Sequence, residues 1–209
     1  MFEKTVQEMF YKRAIGPEGL PWHSEKPARF LVEAASRRTS RGGALDLGCG
    51  AGVFSVYLAK QGFEVTGIDF IPRALEMAAQ RARSEQVKVN WVSADLLNWT
   101  SDDKFDLVLD SGCLHTLTTR SMLRYKERLL SWTSPQSDFI LAHWGKRNLW
   151  DWRPVGPRRR TRKALASFFS PEFREEFYEQ ELLTNVPLPI GPSVLGQCFW
   201  FKRLESGTT

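Results

Sequence analysis

The chain has 209 residues, 42% of them hydrophobic and 25% charged, which is the composition of a folded chain with a real core and excludes disordered, collagenous and disulfide-stapled classes. Its net charge of +5 is local: residues 146–163 hold eight Lys/Arg and one Asp, and the remainder carries a net −2. A diffusely basic nucleic-acid coat is therefore excluded, and one cationic segment needs its own explanation.

Predicted elements alternate between short apolar runs and helical patterns, the signature of parallel β/α units. The N-terminal MFEKTVQEMFYKR mixes charges with apolar residues and has no h-region, so no secretory leader is read and a cytoplasmic chain is expected. Pro27 opens a helix of about a dozen residues, carrying Phe30, Leu31, Ala34 and Ala35. Strands are predicted at 44–47, 64–69, 87–93, 105–110 and 138–143, with a helix at 53–60 stopped by Gly62 and another opened by Pro72. A helix over 119–132 places Met122, Tyr125, Leu129 and Trp132 on one face. After it come a loop through 157, a helix at 161–169, a shorter one at 171–177, and two weaker strands at 178–186 and 196–203. No apolar run approaches the ~18 residues of a membrane span. Cys49, Cys113 and Cys198 show no CxxC spacing, which speaks against a disulfide framework or a metal site and for a reducing compartment.

Asp46-Leu47-Gly48-Cys49-Gly50-Ala51-Gly52 carries the most information. A strand, then glycines, then a helix lets backbone approach a ligand closely and offers free N–H groups at a helix start. The pattern is G-x-G-x-G, whereas a dinucleotide site wants G-x-G-x-x-G. Asp46, two residues before the first glycine, would repel phosphates and attract an ammonium. Asp69 ends the second strand, where a carboxylate can accept from a ribose diol, and Phe70 and Ile71 beside it can lie against a purine. Ser93-Ala94-Asp95-Leu96 ends the third, offering an acceptor for an exocyclic amine and an apolar cover. A dehydrogenase and a non-catalytic cofactor-binding protein remain open alternatives at this point.

LDLGCGAG, VTGID, SAD and FDLVLDSG, at these spacings over roughly residues 28–145, resemble the class I S-adenosylmethionine-dependent methyltransferases. The resemblance implies an α/β fold, with a Rossmann-like, mostly parallel seven-stranded sheet, an antiparallel last strand and helices on both faces. It implies S-adenosyl-L-methionine as cofactor, with Gly48, Cys49 and Gly50 along the methionine part and Asp46 toward its ammonium through water. Asp69 and Phe70 would serve the ribose and purine, Ala94, Asp95 and Leu96 the adenine, and Asp110 and Ser111 would lie beneath the sulfonium. The single domain of residues 1–209 would include an N-terminal lid over 1–30 and a substrate-side loop over 144–163.

The fourth strand runs into Asp110-Ser111-Gly112-Cys113-Leu114-His115 where base-amine methyltransferases carry N/D-P-P-Y/F, and a catalytic Pro-Cys dipeptide is absent. The string is more similar to small-molecule enzymes of the thiopurine and tellurite-resistance type, whose P-W signature Pro21-Trp22-His23 matches. Trp22 would then cover the cofactor, its aromatic face attracting positive charge. Methyl transfer needs alignment and exclusion of water more than acid–base chemistry, although a hydroxyl acceptor wants a base. His115 is the candidate base and substrate contact, with His23, Trp150 and Trp152 as further substrate contacts and His143 read as structural. The expected partner is a small aromatic or heterocyclic molecule methylated on N, S or O, with no membrane and no nucleic acid. The alternative is an RNA or protein methyltransferase that uses 146–163 as a clamp on an anionic substrate.

Overall fold

The computed structural model describes residues 2–148, 151, 157–184 and 193–205. In chain order the elements are α1 (Phe2–Arg13), α2 (Arg29–Arg37), β1 (Gly43–Leu47), α3 (Val53–Lys60), β2 (Glu64–Asp69), α4 (Pro72–Ser84), β3 (Asn90–Ser93), β4 (Phe105–Ser111), α5 (Thr119–Trp132), β5 (Thr133–Gly145), α6 (Arg162–Phe169), β6 (Phe173–Thr184) and β7 (Ser193–Arg203). Short 3-10 turns occupy Pro17–Gly19 and Leu114–Thr116. Among the described residues the strands form one seven-stranded sheet in the order β3-β2-β1-β4-β5-β7-β6. β1 through β5 pair in parallel, and β7 lies antiparallel between β5 and β6. This is the expected mostly parallel sheet with an antiparallel last strand.

Hydrophobic periodicity explains the layers. α5 buries Met122, Tyr125, Leu129 and Trp132, the face its spacing predicts, and joins α6 on one side of the sheet over Leu47, Val108, Phe139, Leu141 and Phe199. α2 and α3 cover the other side over Ala44, Val65, Leu107, Leu109 and Ile140. A third cluster joins α1 to α4, with Tyr11 and Leu20 packed against Ile71, Ala74 and Met77. Both α5 and α6 are capped by a threonine whose hydroxyl accepts a backbone N–H, Thr118 from Ser121 and Thr161 from Ala164. No described helix is long and apolar enough to cross a membrane.

Several predicted elements are corrected. The short helix read at 171–177 is absent; β6 begins at Phe173, because Phe177 and Tyr178 pair with Trp200 and Phe199 of β7 and tertiary pairing outweighs the helix propensity of the glutamates. The third strand starts at Asn90 rather than 87. α5 ends at Trp132, and β5 starts immediately, passing through Pro135 and a left-handed Gln136 before regular pairing with β4 from Asp138. Phe2–Arg13, for which no element is predicted, is a helix. Trp150 and Trp152 lie outside the described residues.

Candidate functional site

The register brings the strand ends together. Leu47 of β1 pairs with Ile68 of β2 and with Asp110 of β4, and Asp69 pairs with Ser93 of β3. The glycine turn, Asp69, Ala94, Asp95 and Asp110 therefore share the carboxyl edge of the sheet, where open α/β sheets receive ligands. Gly48 has φ +65°, a left-handed conformation, and a Cβ there would lie 2.6 Å from the Cys113 thiol. The turn thus needs glycine both for its bend and for its approach to the β4 loop.

Each acid is held differently. The Asp69 carboxylate accepts the N–H of Gly50 and of Ile71, both at 2.9 Å, so it ties the two strand ends together. Asp95 accepts the Leu97 N–H at 3.0 Å, with Ala94 half-buried and Leu96 buried beside it. Asp46, 1% exposed, accepts the Ser55 hydroxyl at 2.6 Å across to α3. Asp110, fully buried, accepts the Tyr125 hydroxyl at 2.6 Å and the N–H groups of Gly112, Cys113 and Leu114. Its carboxylate thus fixes the turn after β4, while Ser111 next to it is exposed. Cys49 is buried, and Phe70 is half-buried at the edge.

Electrostatics give the edge its sign. Burial pushes Asp46 up to about 7; the Ser55 hydrogen bond holds part of the rise back, and Asp69 and Asp110 add to it. Burial also raises Asp110, to about 6, and Asp69. The Cys113 thiol is pushed far up by burial and then by Asp110, Asp69, Asp46 and Asp95 together. Four carboxylates thus act on one point. Such a bowl suits a cation and repels a diphosphate. An adenosyl sulfonium with a free ammonium meets both demands of these residues: positive charge for the bowl, and diol and amine donors for Asp69 and Asp95.

Beyond the end of β4, His115 lies tilted against Trp144 with ring centroids 4.9 Å apart and meets His143 edge-on at 5.8 Å. Its Nδ1 is buried with no partner among the described residues, and its Nε2 edge lies against Gly112 at the end of β4. Burial, aided by Arg160, lowers its pKa to about 3, so the ring is neutral at pH 7. His143 is fastened: Nδ1 donates to the Trp144 carbonyl at 2.8 Å, and Nε2 receives Arg160 at 3.2 Å. The basic run is engaged in the fold. The Arg158 and Arg160 guanidinium groups donate to the Leu117 carbonyl, at 2.9 and 3.1 Å. Arg159 is buried in an ion pair with Asp151.

The N-terminal residues meet the same edge. Trp22, 44% exposed, packs edge-on against Phe10 at 5.4 Å and tilted against Tyr11 at 5.9 Å. The Tyr11 hydroxyl is 2.8 Å from where a Gly50 Cβ would stand. His23 Nε2 meets Glu25 at 2.7 Å, and Glu25 takes two hydrogen bonds from Arg81 of α4. Tyr11 and Ser55 are functional candidates that the sequence reading did not name. The apolar Phe10-Tyr11 pair inside a charged stretch was the available signal for the first; nothing local marks the second. Among the described residues no group of three or more His, Cys, Asp or Glu is placed to hold a metal.

With this geometry in place, a family model described as a methyltransferase domain matches residues 44–136. Those residues are a methyltransferase domain. The match spans β1 to the start of β5, so it includes the glycine turn and all four edge carboxylates of the methyltransferase domain. A 2-heptyl-1-hydroxyquinolin-4(1H)-one methyltransferase of Mycobacteroides abscessus is 26% identical over 151 residues, covering 68% of this chain and 66% of that protein. The chain thus spans just under two thirds of that relative's length. Among solved structures, the N-methyltransferase NodS of Bradyrhizobium japonicum, in complex with S-adenosyl-L-homocysteine, superposes with a TM-score of 0.69 at 20% identity, over 84% of this chain and 85% of that one. TehB of Haemophilus influenzae gives 0.72 at 15% identity, over 86% and 63%. These structural likenesses share the fold.

Proposed function

We propose that the chain methylates a nitrogen, sulfur or oxygen atom of a small aromatic or heterocyclic molecule. The observation that carries the reading is the acidic bowl: carboxylates gathered on a glycine turn, acting on one another, at the edge where the methyltransferase domain takes its cofactor. S-adenosylmethionine, when bound, supplies the activated methyl group. The chain's residues bind and orient. Asp69 and Asp95 hold the adenosine end beside Phe70, Ala94 and Leu96, and Gly48, Cys49 and Gly50 follow the amino-acid end, with Asp46 toward its ammonium. Asp110 stiffens the β4 turn and, with Ser111, underlies the reacting end. Residues 1–30 act as a lid, in which Trp22 and Tyr11 exclude water.

His115 faces the acceptor. Because its ring is neutral, its Nε2 is available to accept a hydrogen bond from a hydroxyl, amine or thiol acceptor and steer it, and removing a hydroxyl's proton would require the bound acceptor to raise the ring's basicity. His23 is a further proposed contact of the acceptor. The small-molecule reading is favoured over an RNA or protein clamp by the arginine run: Arg158, Arg159 and Arg160 grip Leu117, Asp151 and His143 instead of pointing away as a phosphate-binding row.

The test is a panel of thiols, heterocyclic amines and phenols scored for release of S-adenosylhomocysteine. Turnover of at least one panel class is expected, and tight RNA binding with steep salt dependence in place of turnover would overturn the reading. For a phenol acceptor, His115→Asn is expected to lower kcat by about tenfold, through loss of a positioning hydrogen bond. The wild-type rate should show no ionisation of this histidine between pH 5 and 8, since its folded pKa is about 3.

A further inference from the structure

A cavity of about 430 Å³ opens at the same carboxyl edge, two strands beyond β4, between the end of β5, the start of α6 and the β6–β7 pair. Its wall includes Lys146, Arg162, Tyr178, Gln180 and Gln197. Gln197 is 4% exposed, and its amide is held in one direction: Nε2 donates to the Tyr178 oxygen at 2.9 Å, and the Tyr178 O–H donates to Gln180 at 2.6 Å. The Gln197 Oε1 is left buried, with no donor among the described residues. The amide lies flat on Gly145, where a Cβ would stand 2.6 Å from Cδ, so the neighbouring strand is shaped to accept it. The charges on the wall are mostly matched, Arg162 with Glu175 and Glu179 with Arg29, whereas Lys146 has no ion pair among the described residues. The Arg162 guanidinium lies over the Tyr178 ring at 4.3 Å.

A buried acceptor without a donor is costly, and an unmatched ammonium beside it calls for negative charge. We propose that this cavity binds a small organic anion that carries a hydroxyl or amine donor next to its carboxylate. The carboxylate meets Lys146, the donor satisfies Gln197, and an apolar body lies along Tyr178 and Leu195. His143 of β5 pairs directly with Gln197 of β7. At a strand spacing of about 4.8 Å, the cavity therefore lies ~10 Å from the end of β4. That is the reach of one aromatic acid, so the ligand is either the far end of the acceptor molecule or a separate small acid.

Mandelate, phenylacetate and 2-phenylethanol test the chemistry on the intact protein, read by NMR shifts at Lys146, Tyr178 and the Gln197 amide. Mandelate is expected to bind most tightly, phenylacetate more weakly for want of the hydroxyl, and the uncharged alcohol least. Lys146→Met should weaken mandelate about tenfold. Gln197→Met, checked for folding by the same spectra, should bring mandelate and phenylacetate to equal affinity. Competition by mandelate against an acceptor that turns over supports the acceptor's own end as ligand, and binding without competition supports a separate acid. Absence of shifts at the cavity, or unchanged affinity in both variants, overturns the proposal. Calorimetry with S-adenosylhomocysteine is run in parallel, so that loss of the methyltransferase reading is seen separately.

Discussion

Asp69 serves two masters, the Gly50 and Ile71 amides of its own backbone and the proposed ribose diol. Asp69→Asn keeps only one of the two acceptor oxygens and loses the charge, so cofactor affinity should fall about 10–100-fold by calorimetry, and Tm should drop because one backbone N–H is left facing the amide NH2. Asp46 poses the opposite problem. Its folded pKa near 7 means that part of the population is protonated at neutral pH, and a cationic ligand draws it into the ionised state. Affinity for S-adenosylmethionine should therefore drop as pH falls below 7, by up to about tenfold per pH unit for this one group, with protons released on binding. Calorimetry in buffers of different ionisation enthalpy reads both effects. The sequence showed these acids as strand-end residues, because their positions follow from strand length alone. It could not show that Ser55 faces Asp46, since that contact depends on how α3 seats against β1.

Among the elements, α5 shows local pattern and tertiary structure agreeing. Its four apolar positions predict the buried face, and its Thr118 cap and Trp132 end match the pattern. What the periodicity does not disclose is that Tyr125 also reaches Asp110 with its hydroxyl. Tyr125→Phe leaves a buried carboxylate short of a donor and should destabilise the protein by about 1–3 kcal/mol in urea titration, without removing the aromatic packing. β6 shows disagreement. Arg174-Glu175-Glu176 favours a helix locally, and only the long pairing with β7, with a register shift between Glu175 and Phe177, makes it a strand. Such non-local pairing is invisible to a window of neighbouring residues, which is why the tail was the least legible part. α1 was missed for a related reason: its face is completed by α4, far along the chain.

For the whole molecule, the same acidic edge bears on stability. In the unfolded chain the carboxylates of Asp46 and Asp110 titrate near their ordinary value of ~3.9. In the folded protein they hold their protons to about 7 and 6. Between these limits the two acids bind more protons folded than unfolded, so their contribution to stability falls as pH rises from about 4 to about 7, while His115 and His143, held neutral by burial and protonated only on unfolding, oppose it. Asp46→Asn should therefore shift the slope of Tm against pH upward over that range in the ligand-free protein, by scanning calorimetry. Saturating S-adenosylmethionine should shift the wild-type slope in the same direction, because it binds the folded state alone and favours the ionised acids. Equal slopes in the wild type and the variant would show that Asp46 holds no extra proton in the folded state.

The Tyr11 hydroxyl standing on Gly50 has a kinetic corollary. A molecule seated in the glycine turn shares its ceiling with the first helix, so escape of the spent donor and undocking of that helix become a single event. Amide hydrogen exchange in residues 6–13 should then slow on loading in step with the off-rate. Exchange of the nucleoside, more than the alkylation itself, would set the pace of each cycle.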